Sequence, residues 1–264
     1  MKIIVDAMGG DNAPLEIVQG ALAAARARPG LEIVLVGREA EVRAAAGPGL
    51  PSGVSVVNAT EVIDMHDDPA RAFRNKPDSS ITVGLTMLRD GQGDAFVSAG
   101  STGALFSAGT LIVKRIRGIR RAAMAPLVPT AGRGVVLVDC GATADCTVEY
   151  LLQFAYLGSF YAARALRVDN PRVALLNIGT EDTKGDALRL ETYAALKAAG
   201  EAGHLNFTGN IEAKEAVKGG CDVVVADGFT GNVMLKTIEG VGSFLGKELK
   251  GMFLKSLKTK IAAL

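Results

Sequence analysis

The stretch KIIVDAMGGDNAPLEIVQGALAAARAR, residues 2–28, sets the pattern from which the fold is read. Lys2 to Asp6 is a short apolar run closed by an acid. Ala7 to Asp11 is a turn containing two adjacent glycines, where the backbone can bend sharply without a Cβ in the way. From Pro14 to Arg28 the apolar residues Ile17, Val18, Ala21, Leu22 and Ala25 fall on one helical stripe, with Pro14 near the first turn, where a missing N–H is harmless. A strand, a glycine turn and a helix in that order begin a parallel βαβ repeat.

The same sequence of features recurs outward from this stretch. Apolar β-rich runs lie at Glu32 to Val36, Val54 to Val57, Ala95 to Ser98, Val135 to Asp139, Val173 to Ile178 and Asp222 to Ala226, and Ala123 to Val128 is a further strand candidate. Helix-compatible stretches lie at Ser79 to Arg89, Thr102 to Lys114, Val148 to Ala165 and Gly185 to Ala199. This alternation predicts an α/β protein, a three-layer α/β/α arrangement in which a largely parallel sheet is covered on both faces. One continuous sheet is expected, with residues 1–230 as the catalytic body and residues 231–264 as a helical C-terminal portion. Leu245, Leu249, Met252, Phe253, Leu257, Ile261 and Leu264 form a broad apolar face there, with Lys247, Lys250, Lys255 and Lys258 mostly elsewhere. That pattern suits a bundle or dimer helix and a membrane-surface helix equally.

Composition narrows the function classes. A net charge of +1 supplies no field to gather nucleic acid. Cys140, Cys146 and Cys221 are an odd set without CxxC spacing, which argues against a disulfide framework or a zinc knuckle and for a reducing cytoplasm. Asp6 interrupts the first apolar run too early for a signal peptide, and no run approaches the roughly 18 apolar residues of a membrane span. The cluster Asp64, His66, Asp67 and Asp68 sits in a polar connector and reads as a solvated face, so no metal is assigned.

Five strand ends carry small polar turns: Asp6 to Asp11, Ser98 to Gly103, Asp139 to Ala142, Asn177 to Thr180 and Asp227 to Asn232. In an open parallel sheet the carboxyl ends share one edge, where ligands bind, so the turns are expected to converge on one crevice. Glycines admit a ligand close to backbone N–H groups, and a helix start adds donors and a positive dipole end, a combination suited to phosphate. Gly100, Ser101, Thr102 and Gly103 form the best candidate cradle; the plain alternative is a strand-to-helix turn capped by Ser101 or Thr102. No GxxxxGK[ST] loop is present, and no GxGxxG opens the first helix. His66 and His204 lie outside the turns and no GxSxG elbow exists, which argues against a Ser-His-Asp hydrolase.

The turns carry a resemblance. DAMGGD (6–11), EVIDM (61–65), KPDSS (76–80), SAGSTGAL (98–105), LLQF (151–154), LLNIGTEDTKG (175–185) and DGFTGNVMLKTIEG (227–240) closely resemble the bacterial phosphate acyltransferases of phospholipid synthesis. That family converts acyl-acyl-carrier-protein thioesters and inorganic phosphate into acyl phosphate. The resemblance implies a fold similar to the isocitrate and isopropylmalate dehydrogenases and to phosphate acetyltransferase, a homodimer, and no redox cofactor. Its product implies peripheral membrane contact, with a membrane acyltransferase as a further partner. The chain departs from the family at Ser101, where asparagine is usual, and at Thr143-Ala144, where an asparagine-valine pair is usual. Family members also continue beyond residue 264, so a C-terminus truncated relative to the family is expected.

Phosphate near neutral pH is itself a nucleophile, so this chemistry requires no enzymic Ser or Cys and direct attack without a covalent acyl-enzyme is expected. Lys184 is the candidate cation for phosphate or the oxyanion. Asn177, Thr180 and Asn232 are candidate donors, and Gly9, Gly10 and Gly179 let the backbone approach the ligand. Asp227 is expected to orient a donor, to protonate the leaving thiol, or only to close its own turn, and Asp11 is left without a role. Arg74 and Lys76 are candidates for meeting the acidic carrier protein. The rivals are a nucleotide- and metal-dependent decarboxylating dehydrogenase of the same fold and a non-catalytic carrier-protein scaffold.

Overall fold

The computed structural model describes residues 1–130 and 132–253. In place of the single continuous sheet expected, the strands form two sheets, one in each of two compact units that divide between Ile116 and Arg117.

In the first unit β1 (Lys2–Asp6), β2 (Glu32–Gly37), β3 (Val54–Asn58) and β4 (Ala95–Val97) pair in parallel in the order β3-β2-β1-β4. The stripe read from residues 14–28 forms helix α1 (Leu15–Ala27), whose Val18, Ala21 and Leu22 pack with Val5, Ile33 and Leu35 of the sheet and with Val42 and Ala46 of α2 (Glu39–Ala46). On the opposite face Ile4, Val34 and Val36 meet Val83 and Met87 of α4 (Ser80–Arg89). Ser79 caps α4 by accepting the Thr82 N–H at 3.3 Å. The connector after β3 carries the short helix α3 (Ala72–Asn75). There Lys76 Nζ lies 2.5 Å from Asp67 and donates to the Val62 carbonyl at 2.8 Å, so this one of the two cations expected to meet a carrier protein is engaged inside its own connector. The helix expected over Thr102 to Lys114 is α5 (Thr102–Ala108) followed by a π-helical turn, Gly109–Val113.

The second unit has the order β5-β6-β9-β7-β8, formed by β5 (Leu127–Val128), β6 (Val135–Val138), β7 (Arg172–Leu176), β8 (Asn206–Ile211) and β9 (Val223–Val225). All pairs are parallel except β5 with β6. Val136, Val138, Val173, Leu175, Val223 and Val225 face α6 (Val148–Ala165) and α7 (Ala187–Glu201). Leu137, Ala174, Leu176 and Val224 face α8 (Ala213–Ala216) and α9 (Gly228–Phe253). Each unit is thus a three-layer α/β/α body around its own core. The uninterrupted valine and leucine runs exist because both sheet faces are covered.

β8 has no counterpart in the sequence reading. Its sequence NFTGNI is half polar and carries a glycine, which hides the alternation that marks a strand. The strand expected at Ala123 to Val128 shrinks to Leu127–Val128. Of the expected C-terminal helical face, Leu257, Ile261, Leu264, Lys255 and Lys258 lie outside the described residues.

Candidate active site

In both units a buried acid at or just after a strand's last residue organises the turn that follows. Asp6 ends β1; its carboxylate accepts the Met8 N–H at 3.1 Å and the Ser98 hydroxyl at 2.6 Å, while Ser98 Oγ accepts the Gly100 N–H at 3.0 Å. The turns after β1 and β4 therefore lock together. A Cβ on Gly9 would collide with the Asp6 carboxylate and come within 2.8 Å of the Gly100 nitrogen, so the close approach itself requires glycine there.

The candidate cradle at Gly100 to Gly103 has its groups divided. Ser101 caps α5 by accepting the Ala104 N–H at 3.4 Å, the plain alternative named above. Gly103 abuts Pro69, and Gly10 and Thr102 are exposed.

Asp139 follows β6 and is fully buried. Its carboxylate accepts the backbone N–H groups of Met124 (2.9 Å), Cys140 (2.7 Å), Ala142 (3.1 Å) and Thr143 (2.7 Å). The donors of that turn are spent on the protein's own carboxylate.

Two other turns of the second unit meet through a residue that sequence reasoning missed. Arg189 donates from Nη1 to Asp186 at 2.8 Å, and from Nη2 to the Asp227 carboxylate and to Thr230 Oγ1 at 3.0 Å. Asp186 is the N-cap of α7, accepting the Arg189 N–H at 2.9 Å. Although burial pushes the other way, that N–H and the Arg189 guanidinium hold the Asp186 carboxyl below its ordinary range. Asp227 also accepts the Thr230 N–H at 2.9 Å and its hydroxyl at 2.7 Å, closing the first turn of α9. Its carboxylate is occupied on both oxygens. The available signal for Arg189 was an acid three residues earlier at a helix start.

The Asn177 to Gly185 turn is the polar loop after β7. Asn177 Oδ1 accepts the Ile178 N–H at 2.8 Å and Asn177 Nδ2 donates to the Lys184 carbonyl at 3.0 Å, so one side chain ties the two ends of the turn. Gly179 is buried under the Lys184 side chain, Thr180 is exposed, and Lys184 makes no ion pair among the described residues. Asn232 is exposed on α9 and faces Gly141.

Beside this turn opens a cavity of about 710 Å³. Asn177, Asp186, Arg189, Lys214, Thr230 and Thr237 supply its polar part, while Leu176, Val217, Val233, Met234 and Ile238 supply apolar wall. Such a combination of apolar wall and few polar groups is typical of small-molecule sites.

Residues 1–264 match the family model described as fatty acid synthesis protein. The phosphate acyltransferase of Bacillus pumilus is 46% identical over 266 residues, covering 100% of this chain and 78% of that protein. The phosphate acyltransferase of Brevibacillus brevis is 44% identical over 264 residues with the same coverage. The chain belongs to this family. With relatives at 46% and 44% identity over the whole of this chain that are phosphate acyltransferases, it is an acyltransferase, and the dehydrogenase rival is set aside. A phosphotransacetylase from Streptococcus pyogenes, at 21% identity and a TM-score of 0.69, aligns over 92% of this chain and 82% of its own. The EutD phosphotransacetylase from Staphylococcus aureus, at 19% identity and a TM-score of 0.66, covers the same shares. These two structures share the fold of this chain.

Proposed function

We propose that this protein transfers a long-chain acyl group from acyl-acyl-carrier protein to inorganic phosphate, releasing acyl phosphate and the carrier thiol. The carrying observation is that the Lys184 turn adjoins a cavity of about 710 Å³ with an apolar wall, which suits a hydrocarbon chain beside an anion. A phosphate oxygen attacks the thioester carbonyl, the carbon–sulfur bond breaks, and the proton of hydrogen phosphate ends on the departing sulfur. The step balances without an enzymic nucleophile. Burial supports this route, because it raises the thiols of Cys140 and Cys146 to about 11 and that of Cys221 to about 12, leaving them protonated.

Lys184 is assigned to the phosphate or to the oxyanion, with Asn177, Gly179 and Thr180 shaping its turn and Asp227 orienting Arg189. The turns after β1 and β4, with Gly9, Gly10 and Gly100 to Gly103, are assigned to substrate binding, and Asn232 to a donor role. The working assembly is a homodimer with peripheral membrane contact.

Long-chain acyl-carrier protein and phosphate should yield an acyl phosphate that hydroxylamine traps; an intact thioester with no trapped product would refute the assignment. Lys184→Ala should slow turnover by about 10² or more, the scale of losing one oxyanion donor, with folding unchanged. Near-normal turnover of that variant would remove Lys184 from the site.

A further inference from the structure

β8 pairs with β7 in broken register: Val173 lies opposite Phe207, but Leu175 lies opposite Asn210. One residue of β7, Ala174, therefore faces two of β8, Thr208 and Gly209. This is a β-bulge, uncommon between parallel strands, and Gly209 takes it with φ +101°, which other residues rarely adopt. The extra residue has a geometric consequence, because side chains alternate faces along a strand. Without it Asn210 would share the face of Ala174 and Leu176; with it Asn210 shares the face of Val173 and Leu175, towards α7.

On that face Asn210 is 8% exposed, and its Nδ2 donates to the Glu181 carbonyl at 2.7 Å. Its Oδ1 is buried with no partner in the structure. A buried amide oxygen left unpaired is unfavourable, and a leucine of nearly the same shape would avoid the penalty. What the asparagine contributes instead is the contact to Glu181, in the middle of the Asn177 to Gly185 turn. Asn177 ties the ends of that turn, and Asn210 holds its middle from the neighbouring strand.

We propose that Asn210 is a positioning residue that fixes the turn carrying Lys184, with the bulge at Thr208 and Gly209 serving to aim it. This rests on the assignment of Lys184 to phosphate or the oxyanion. The amide acts only through the turn and touches no substrate.

Kinetics on the full chain with long-chain acyl-carrier protein and phosphate test it. Asn210→Leu should keep the unfolding midpoint at or above wild type while kcat/KM for phosphate falls by up to about 10², the scale of a 1 Å misplacement. KM for the acyl donor should stay unchanged. In a Lys184→Ala background the same substitution should cost nothing further, because the group it positions is gone. Asn210→Thr, whose hydroxyl is too short to reach Glu181, should behave alike and serves where the leucine variant does not fold. Normal phosphate kinetics in a folded Asn210 variant, or losses that multiply with those of Lys184→Ala, would overturn the proposal. If Lys184→Ala alone is fully active, the assignment of Lys184 fails first and this inference fails with it.

Discussion

The fully buried Asp139 carboxylate accepts four backbone N–H groups of a partly buried turn, so removing it would strand several donors together. Each orphaned buried donor costs about 1–3 kcal/mol, and Asp139→Ala should lose at least about 3 kcal/mol of stability in urea unfolding. A loss below about 1 kcal/mol would mean that the turn finds other acceptors. The thiols give a second test at this scale. Burial raises the thiols of Cys140 and Cys146 from 9.0 to about 11 and that of Cys221 to about 12. The folded protein therefore holds these protons after the unfolded chain has released them, so stability should fall as pH rises from about 9 towards 11–12. Replacing all three cysteines by alanine should flatten that decline. At pH 8 an aromatic disulfide reagent should label the native protein far more slowly than the urea-unfolded chain.

The first turn of α9 packs hard against the loop after β6. A Cβ on Gly231 would run into the Asp139 carbonyl, and one on Gly228 would lie 2.7 Å from both Asp139 Oδ2 and the Thr143 carbonyl. Gly231→Ala should thus destabilise by about 1–3 kcal/mol, the range for overpacking a filled site, read as a lowered melting temperature. The same helix is exposed from Glu239 to Phe253, and Phe244, Leu245, Leu249, Met252 and Phe253 are each at least 45% exposed. Among the described residues no helix is long and apolar enough to cross a membrane, and the proposed peripheral membrane contact is tested on this exposed face. On that proposal Phe244→Glu with Leu245→Glu should abolish co-sedimentation with anionic vesicles and leave the proposed homodimer intact. Loss of the dimer with vesicle binding retained would assign the segment to a second copy of the chain instead.

Each unit has its own sheet and its own covered core, and the segment Lys114 to Gly118 between them is exposed and rich in basic residues. Brief trypsin treatment should cut first at Lys114, Arg115 or Arg117. Two fragments divided near residue 116 should result, in preference to cleavage inside the strands. Early cleavage within α6 or β7 would contradict the division. The two-unit division was not legible in the sequence because strands of both units share one pattern of apolar run, glycine turn and helix. Pattern fixes the local class of an element, whereas sheet membership depends on long-range pairing such as β1 with β4 and β6 with β9.

Residues 2–28 and their recurrences were enough to determine an α/β protein with parallel strands covered on both faces, because hydrophobic period and glycine placement are local properties. The strand-end turns, the Asn177 to Lys184 loop among them, were legible for the same reason. Only the tertiary structure decided which turns keep free donors. It directed the Asp139 turn onto its own carboxylate, used Ser101 as a cap, and joined Asp227 to Arg189. It also formed β8, whose bulge carries Asn210 to the Lys184 turn. Those outcomes depend on which buried polar groups meet across strands distant in sequence, and a buried group takes the partner that the packed chain brings within reach.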